Sequence, residues 1–165
     1  GRPLPEDFFA ERAAEDARAM RDGVGAVDGA IDFIRSLPAD LPVAIASSSS
    51  HAWIRRHLDH IGLLDRFDGR IFSGKEDVPA GRGKPEPDLY RLAAHAIGVD
   101  IARTVILEDS PVGVTGALRT GATVIGVTAG RHCVDGHADR LRALGVEAIA
   151  PDYDAVRELI GLTPA

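Results

Sequence analysis

Three short stretches of this sequence carry side chains able to do chemistry on an anion. The first is the run Ser47, Ser48, Ser49 and Ser50, which follows the apolar stretch Pro42-Val-Ala-Ile-Ala46. Hydroxyls and backbone N–H groups at the start of a helix can cradle a phosphate-sized anion, and they can equally be a polar cap on that helix. The second is Lys84, set between Gly81 and Gly83 on one side and Pro85 and Pro87 on the other. Glycine lets backbone approach a ligand closely and proline fixes the exit into the next element, whereas an ordinary loop lysine is simply solvated. A Walker loop is excluded, because Pro85 stands where Ser or Thr would have to follow the lysine. The third is Glu108-Asp109, two acids closing the apolar stretch that begins at Thr104. Adjacent carboxylates repel and call for a cation, and hard oxygen ligands suit Mg2+. The competing reading is a favourable interaction with the start of the next helix. Hydroxyls, a cation and paired carboxylates together are the equipment of magnesium-assisted phosphoryl transfer.

The pattern around these residues predicts the elements that must position them. Apolar residues recur at helical spacing over 5–21, 28–37, 50–61, 86–97, 110–119 and 137–144, with a short terminal helix after them. Ser110 is the expected N-cap of its helix, with Pro111 at the first helical position. Short apolar runs at 42–46, 70–73, 104–108, 123–127 and 146–150 read as strands, the first of them buried on both faces. Strands alternating with helices predict an α/β fold, a parallel sheet covered on both sides. Such sheets do their chemistry at the carboxyl ends of the strands, where the serines and the acids lie. The first 25 or so residues are different, helical and charge-rich with no strand partner, and read as part of a separate helical element.

PVAIASSSS, GRGKPEPDLY and TVILEDSPVGVTGA, in this order, closely resemble motifs two, three and four of the haloacid dehalogenase-like hydrolase superfamily. Within it they are most similar to the beta-phosphoglucomutase and sugar-phosphate phosphatase branch. The resemblance implies a three-layer, Rossmann-like core over residues 26–165, with residues 1–25 the remnant of a partial α-helical cap. It implies that Ser47 hydrogen-bonds a transferring phosphoryl group, assisted by the backbone of Ser48, and that Lys84 neutralises the developing charge. Glu108 and Asp109 would hold Mg2+, directly or through water, and Ser49 and His51 would approach the substrate. The implied activity is Mg2+-dependent hydrolysis of a small phosphorylated metabolite, a sugar or polyol phosphate; a phosphosugar mutase shares the same three motifs. The family's first motif, an apolar strand ending in DxDGT or DxDGV, supplies the nucleophilic aspartate and belongs between the strands ending at Ser47 and Glu108. The only D-x-D of the chain, Asp152-Tyr-Asp154, lacks the following Gly-Thr or Gly-Val and reads as an acidic pair after the last strand. The expectation is an enzyme whose nucleophile lies outside this chain. The alternative is a non-catalytic module of the same fold that binds phosphate ligands or a partner.

A net charge of −6 over 165 residues gives no basic footprint for nucleic acid. No stretch approaches the ~20 apolar residues that a membrane span requires. The single Cys133 cannot form an internal bridge, which fits a reducing cytoplasm. His57 and His60, and separately His132, Cys133 and His137, are too few to complete a tetrahedral zinc site. Trp53, Tyr90 and the phenylalanines sit at core spacing and read as packing, and Arg55-Arg56 as a solvated helix face.

Overall fold

A computed structural model of the protein describes residues 11, 14, 15, 17, 18, 21–23 and 25–162. Its strands are β1 (Ile45–Ser47), β2 (Ile71–Ser73), β3 (Val105–Glu108), β4 (Thr123–Val127) and β5 (Ala148–Ala150). Its helices are α1 (Ala30–Ser36), α2 (His51–His60), α3 (Asp88–Ala96), α4 (Pro111–Leu118), α5 (His137–Ala143) and α6 (Tyr153–Leu159). Strand and helix alternate from β1 onward, and all pairing is parallel, as the sequence predicts for an α/β fold. No described helix is long and apolar enough to cross a membrane.

Helix starts follow local capping chemistry. The Ser50 hydroxyl accepts the Trp53 N–H at 3.3 Å, and the Ser110 hydroxyl accepts the Gly113 N–H at 3.0 Å, with Pro111 opening α4. The D-x-D pair is spent in the same way. Asp152 caps α6 by accepting the Ala155 N–H at 2.8 Å, and Asp154 pairs with Arg157 at 2.7 Å.

Four predicted strands start later than expected, two of them by more than one residue. The run at 42–46 becomes strand only from Ile45, and the strand Ile45–Ser47 is half-buried rather than buried on both faces, because among the described residues only β2 pairs with it. The run at 146–150 pairs only from Ala148, because Val146 hydrogen-bonds back to Leu141 and is buried beside it in the core. Of the helix expected over 5–21, Glu11, Ala14, Glu15, Ala17, Arg18 and Arg21 are helical. Phe8, Phe9, Ala13 and Met20 of the same span lie outside the described residues.

The strands form two sheets, β1–β2 and β3–β4–β5. Helix α3 packs on β1, β2 and α4, so Tyr90 shares a cluster with Ile106, Val114 and Leu141 while half-buried Ala46 of β1 packs against it. Phe33, Ile125 and Val156 centre a second cluster, and Ile54, Leu58 and Phe67 a third; Ile34 and Val43 touch both. In a strand, backbone polar groups alternate sides. The Ile45 N–H bonds to Arg70 and the Ser47 carbonyl to Gly74, so the N–H and C=O of Ala46 point away from β2. The Thr104 carbonyl accepts from Thr123, so those of Val105 and Leu107 point away from β4. Among the described residues no strand pairs with either of these edges.

Candidate active site

The carboxyl ends of β1 and β3 meet at one cleft of about 290 Å³. Ser47, Ser48, Lys84, Glu108, Asp109 and Ser110 line its polar part, and Val27, Ala46, Leu107, Val127 and Tyr153 contribute to the rest. A second concavity of similar size, lined by Ile34, Leu37, Leu63, Arg35 and Arg66 among others, has no carboxylate or hydroxyl in its wall. Chemistry is therefore concentrated where the three sequence motifs converge.

Glu108 is the most fully committed group in the cleft. Its side chain is 7% exposed and Lys84, at 10%, places Nζ on Oε1. The Tyr90 hydroxyl donates to the same oxygen at 2.7 Å, while the Ser110 hydroxyl reaches Oε2 at 3.2 Å. Nζ of Lys84 also lies 5.0 Å from the centre of the Tyr90 ring, within range of a cation–π attraction. Burial first, and then the Glu108 charge, push the Tyr90 phenol well above its ordinary pKa, so it stays protonated and donates. Two glycines of α4 make the room. A Cβ on Gly113 would fall 2.0 Å from Oε2 of Glu108, and one on Gly116 would fall 3.0 Å from the carbonyls of Pro85 and Glu86. The Lys84–Pro85 peptide is cis.

Across the cleft the serine loop is held from behind. The Ser47 hydroxyl accepts the Ser49 N–H at 3.1 Å, and the Ser49 carbonyl accepts from the buried Ser73 hydroxyl at 2.7 Å. His51 turns to the loop after β2. Its backbone N–H donates to Glu76 at 2.9 Å, and Nε2 lies 2.8 Å from Oδ2 of Asp77. That same oxygen accepts the Ser73 N–H at 2.6 Å. Burial raises the Asp77 pKa, but the Ser73 N–H and His51 together outweigh it and hold the carboxyl below its ordinary range. Ser47 and Ser48 face the cleft, whereas Ser49 and His51 are not part of its lining.

A family model described as haloacid dehalogenase-like hydrolase matches residues 4–121. The chain belongs to this hydrolase family. Hexitol phosphatase A of Escherichia coli (strain K12) is 38% identical over 109 residues, which are 66% of this chain and 48% of that protein. A haloacid dehalogenase-like protein from Agrobacterium tumefaciens has a TM-score of 0.87 at 33% identity, covering 96% of this chain and 70% of that one. A haloacid dehalogenase family hydrolase from Deinococcus radiodurans, solved with bound phosphate and sodium, has a TM-score of 0.80 at 34% identity, covering 98% and 71%. The chain spans about half the length of the curated relatives it matches, 48% to 56% of the first three. The α/β fold and the haloacid dehalogenase-like family expected from the three motifs are thus shown.

Whether the acids of this hydrolase core suit Mg2+ depends on which of their oxygens are free. Asp109 fits, being half-exposed at the cleft with a hard oxygen donor that meets Nε2 of the exposed His132 at 3.1 Å. Glu108 has both oxygens engaged by Lys84, Tyr90 and Ser110, so it suits a water-mediated contact better than a direct one. Mg2+ retains several waters in protein sites, and such a pair meets its needs in part. Among the described residues no group of three or more His, Cys, Asp or Glu gathers as a metal site. The structure adds residues to which sequence spacing gave a blander reading. Tyr90 packs as expected but also orients Glu108. His132 and His137, read from the sequence only as part of an incomplete zinc set, both lie on Asp109, one at its carboxylate and the other at its main-chain carbonyl. A tyrosine rather than a phenylalanine at a core position was the available signal, since a buried phenol usually finds a partner.

Proposed function

We propose that this chain forms most of the core of a Mg2+-dependent phosphatase acting on a small phosphomonoester, a sugar or polyol phosphate, through an aspartate that lies outside it. The observation that carries this reading is the two open strand edges flanking the cleft. The backbone groups of Ala46 on one side and of Leu107 on the other would pair with an extended segment between them. A carboxylate at the carboxyl end of that segment would arrive between Ser47 and Asp109. The family match and the likeness to a hexitol phosphatase support the same reading.

In this reading the Ser47 hydroxyl and the Ser48 N–H hold the phosphoryl oxygens, with Lys84 supplying positive charge beside them. Ser49 and His51 shape the serine loop from its outer side, where His51 is anchored to Asp77. Mg2+ bound at Asp109, with Glu108 behind it through water, would neutralise phosphoryl charge. The entering carboxylate forms a bond to phosphorus while the bond to the sugar oxygen breaks, and that oxygen takes its proton from a general acid that, like the nucleophile, lies outside this chain. Water then cleaves the acyl phosphate, returning the carboxylate and releasing inorganic phosphate. Residues 1–25 would belong to a helical cap over the cleft, and the lone cysteine fits a cytoplasmic setting.

Phosphate release from a panel of hexitol and sugar phosphates by the full-length protein, with Mg2+ and with chelator, tests this. Metal-dependent release that Asp109→Asn abolishes without loss of the folded state is the expected result. Phosphate binding without turnover on any substrate would favour a non-catalytic module, and transfer between sugar hydroxyls a mutase.

A further inference from the structure

We propose that His137 is a positioning residue for Asp109, acting through the Asp109 main chain and so setting the affinity of the cleft for a divalent cation. This rests on Asp109 being the metal-bearing acid. His137 opens α5 and is one of the few polar side chains buried in the described fold, at 7% exposure. Its Nε2 lies 2.5 Å from the main-chain carbonyl of Asp109, a residue 28 positions earlier in the chain. A carbonyl can only accept, so the ring proton is on Nε2. Nδ1 faces Nη2 of Arg140 at 3.5 Å, and a guanidinium can only donate, so Nδ1 offers its lone pair. Both ring nitrogens are thereby assigned and one tautomer results.

The neighbours of Asp109 show why this contact matters. Glu108 is held through its side chain by Lys84, Tyr90 and Ser110 and stands opposite Gly126 in the ladder with β4. Ser110 is held as the cap of α4. Asp109 lies beyond the last paired residue of β3, and among the described residues its carboxylate pairs with one side chain, that of the exposed His132. The direction of its Cα–Cβ bond therefore depends on where its peptide is anchored, and His137 is that anchor. Hydrogen-bond partners that orient a metal ligand from behind typically change metal affinity by ~10–100-fold when lost.

Calorimetric titration of Mg2+ into the full-length protein tests this with two variants of similar length and volume. His137→Gln retains an N–H donor that can reach the Asp109 carbonyl, and His137→Met does not. The expected result is affinity near wild type in the Gln variant and about 10–100-fold weaker in the Met variant. Equal affinities in all three proteins would overturn the positioning role while leaving Asp109 as the metal acid. A wild-type protein that binds no Mg2+ would overturn the metal reading itself. Should neither variant fold, nitrogen NMR of the wild-type imidazole decides: the Nε2–H tautomer supports the anchor and an Nδ1–H tautomer overturns it.

Discussion

The two sheets face one cleft, yet they are held in opposite ways. In the three-stranded sheet, β4 is buried along four of its five residues, and the acid at the end of β3 is enclosed by donors until no oxygen is free. In the two-stranded sheet, β1 is nowhere fully buried, and its serine loop is oriented by a polar clamp made of Ser73, Asp77 and His51. A buried carboxylate is tolerated only when fully partnered. Hydroxyls meant to meet an anion must instead stay accessible, so their order is imposed from behind. Lys84 and Tyr90 tie the two halves, since both come from the segment that follows β2 and both end on the acid of β3.

Breaking that tie should have the largest effect. Lys84→Ala leaves Glu108 buried without its cation, an arrangement that costs about 3–5 kcal/mol, read as a fall in urea stability. A loss below about 1 kcal/mol would mean that the packing of α3 alone joins the halves. Tyr90→Phe keeps the packing and removes one hydrogen bond to a charged acceptor, for an expected loss of about 1.5–3 kcal/mol in the same assay. Adding Lys84→Ala to it completes a double-mutant cycle, and non-additivity would show that the two donors act on Glu108 as a unit.

The smallest effect belongs to the other sheet. The folded pKa of Asp77 lies below its ordinary value of 3.8. Its contribution is therefore fully present above that value and is lost as pH falls through the depressed one. Asp77→Asn should be less stable than wild type at pH 7, and the gap should close on acidification. A gap that persists well below the carboxylate range would remove the ionised clamp from the account of the serine loop.

Much of this architecture was legible in the residues alone. The β4 strand forms over the predicted Thr123–Val127, Ser50 and Ser110 cap the predicted helices, and three motifs converge on one cleft. Two strand starts were misplaced by more than one residue because apolar runs do not show which residues pair and which only pack. The serine run gave no sign that Ser49 and His51 would turn toward Ser73 and Asp77 while Ser47 and Ser48 faced the cleft.

The division follows the range of the forces involved. Helical periodicity, caps and proline at a first turn act over one to four residues, so they can be read along the chain. The contacts that define the acid side of the cleft join residues 24, 18 and 28 positions apart: Lys84 with Glu108, Tyr90 with Glu108, and His137 with Asp109. Residue types proposed the chemistry, but which donor satisfies which buried acceptor is settled only when α3, α4 and α5 pack against the ends of the strands. That is why Glu108-Asp109 reads as an equivalent pair in sequence and becomes, in the fold, one enclosed acid and one open one.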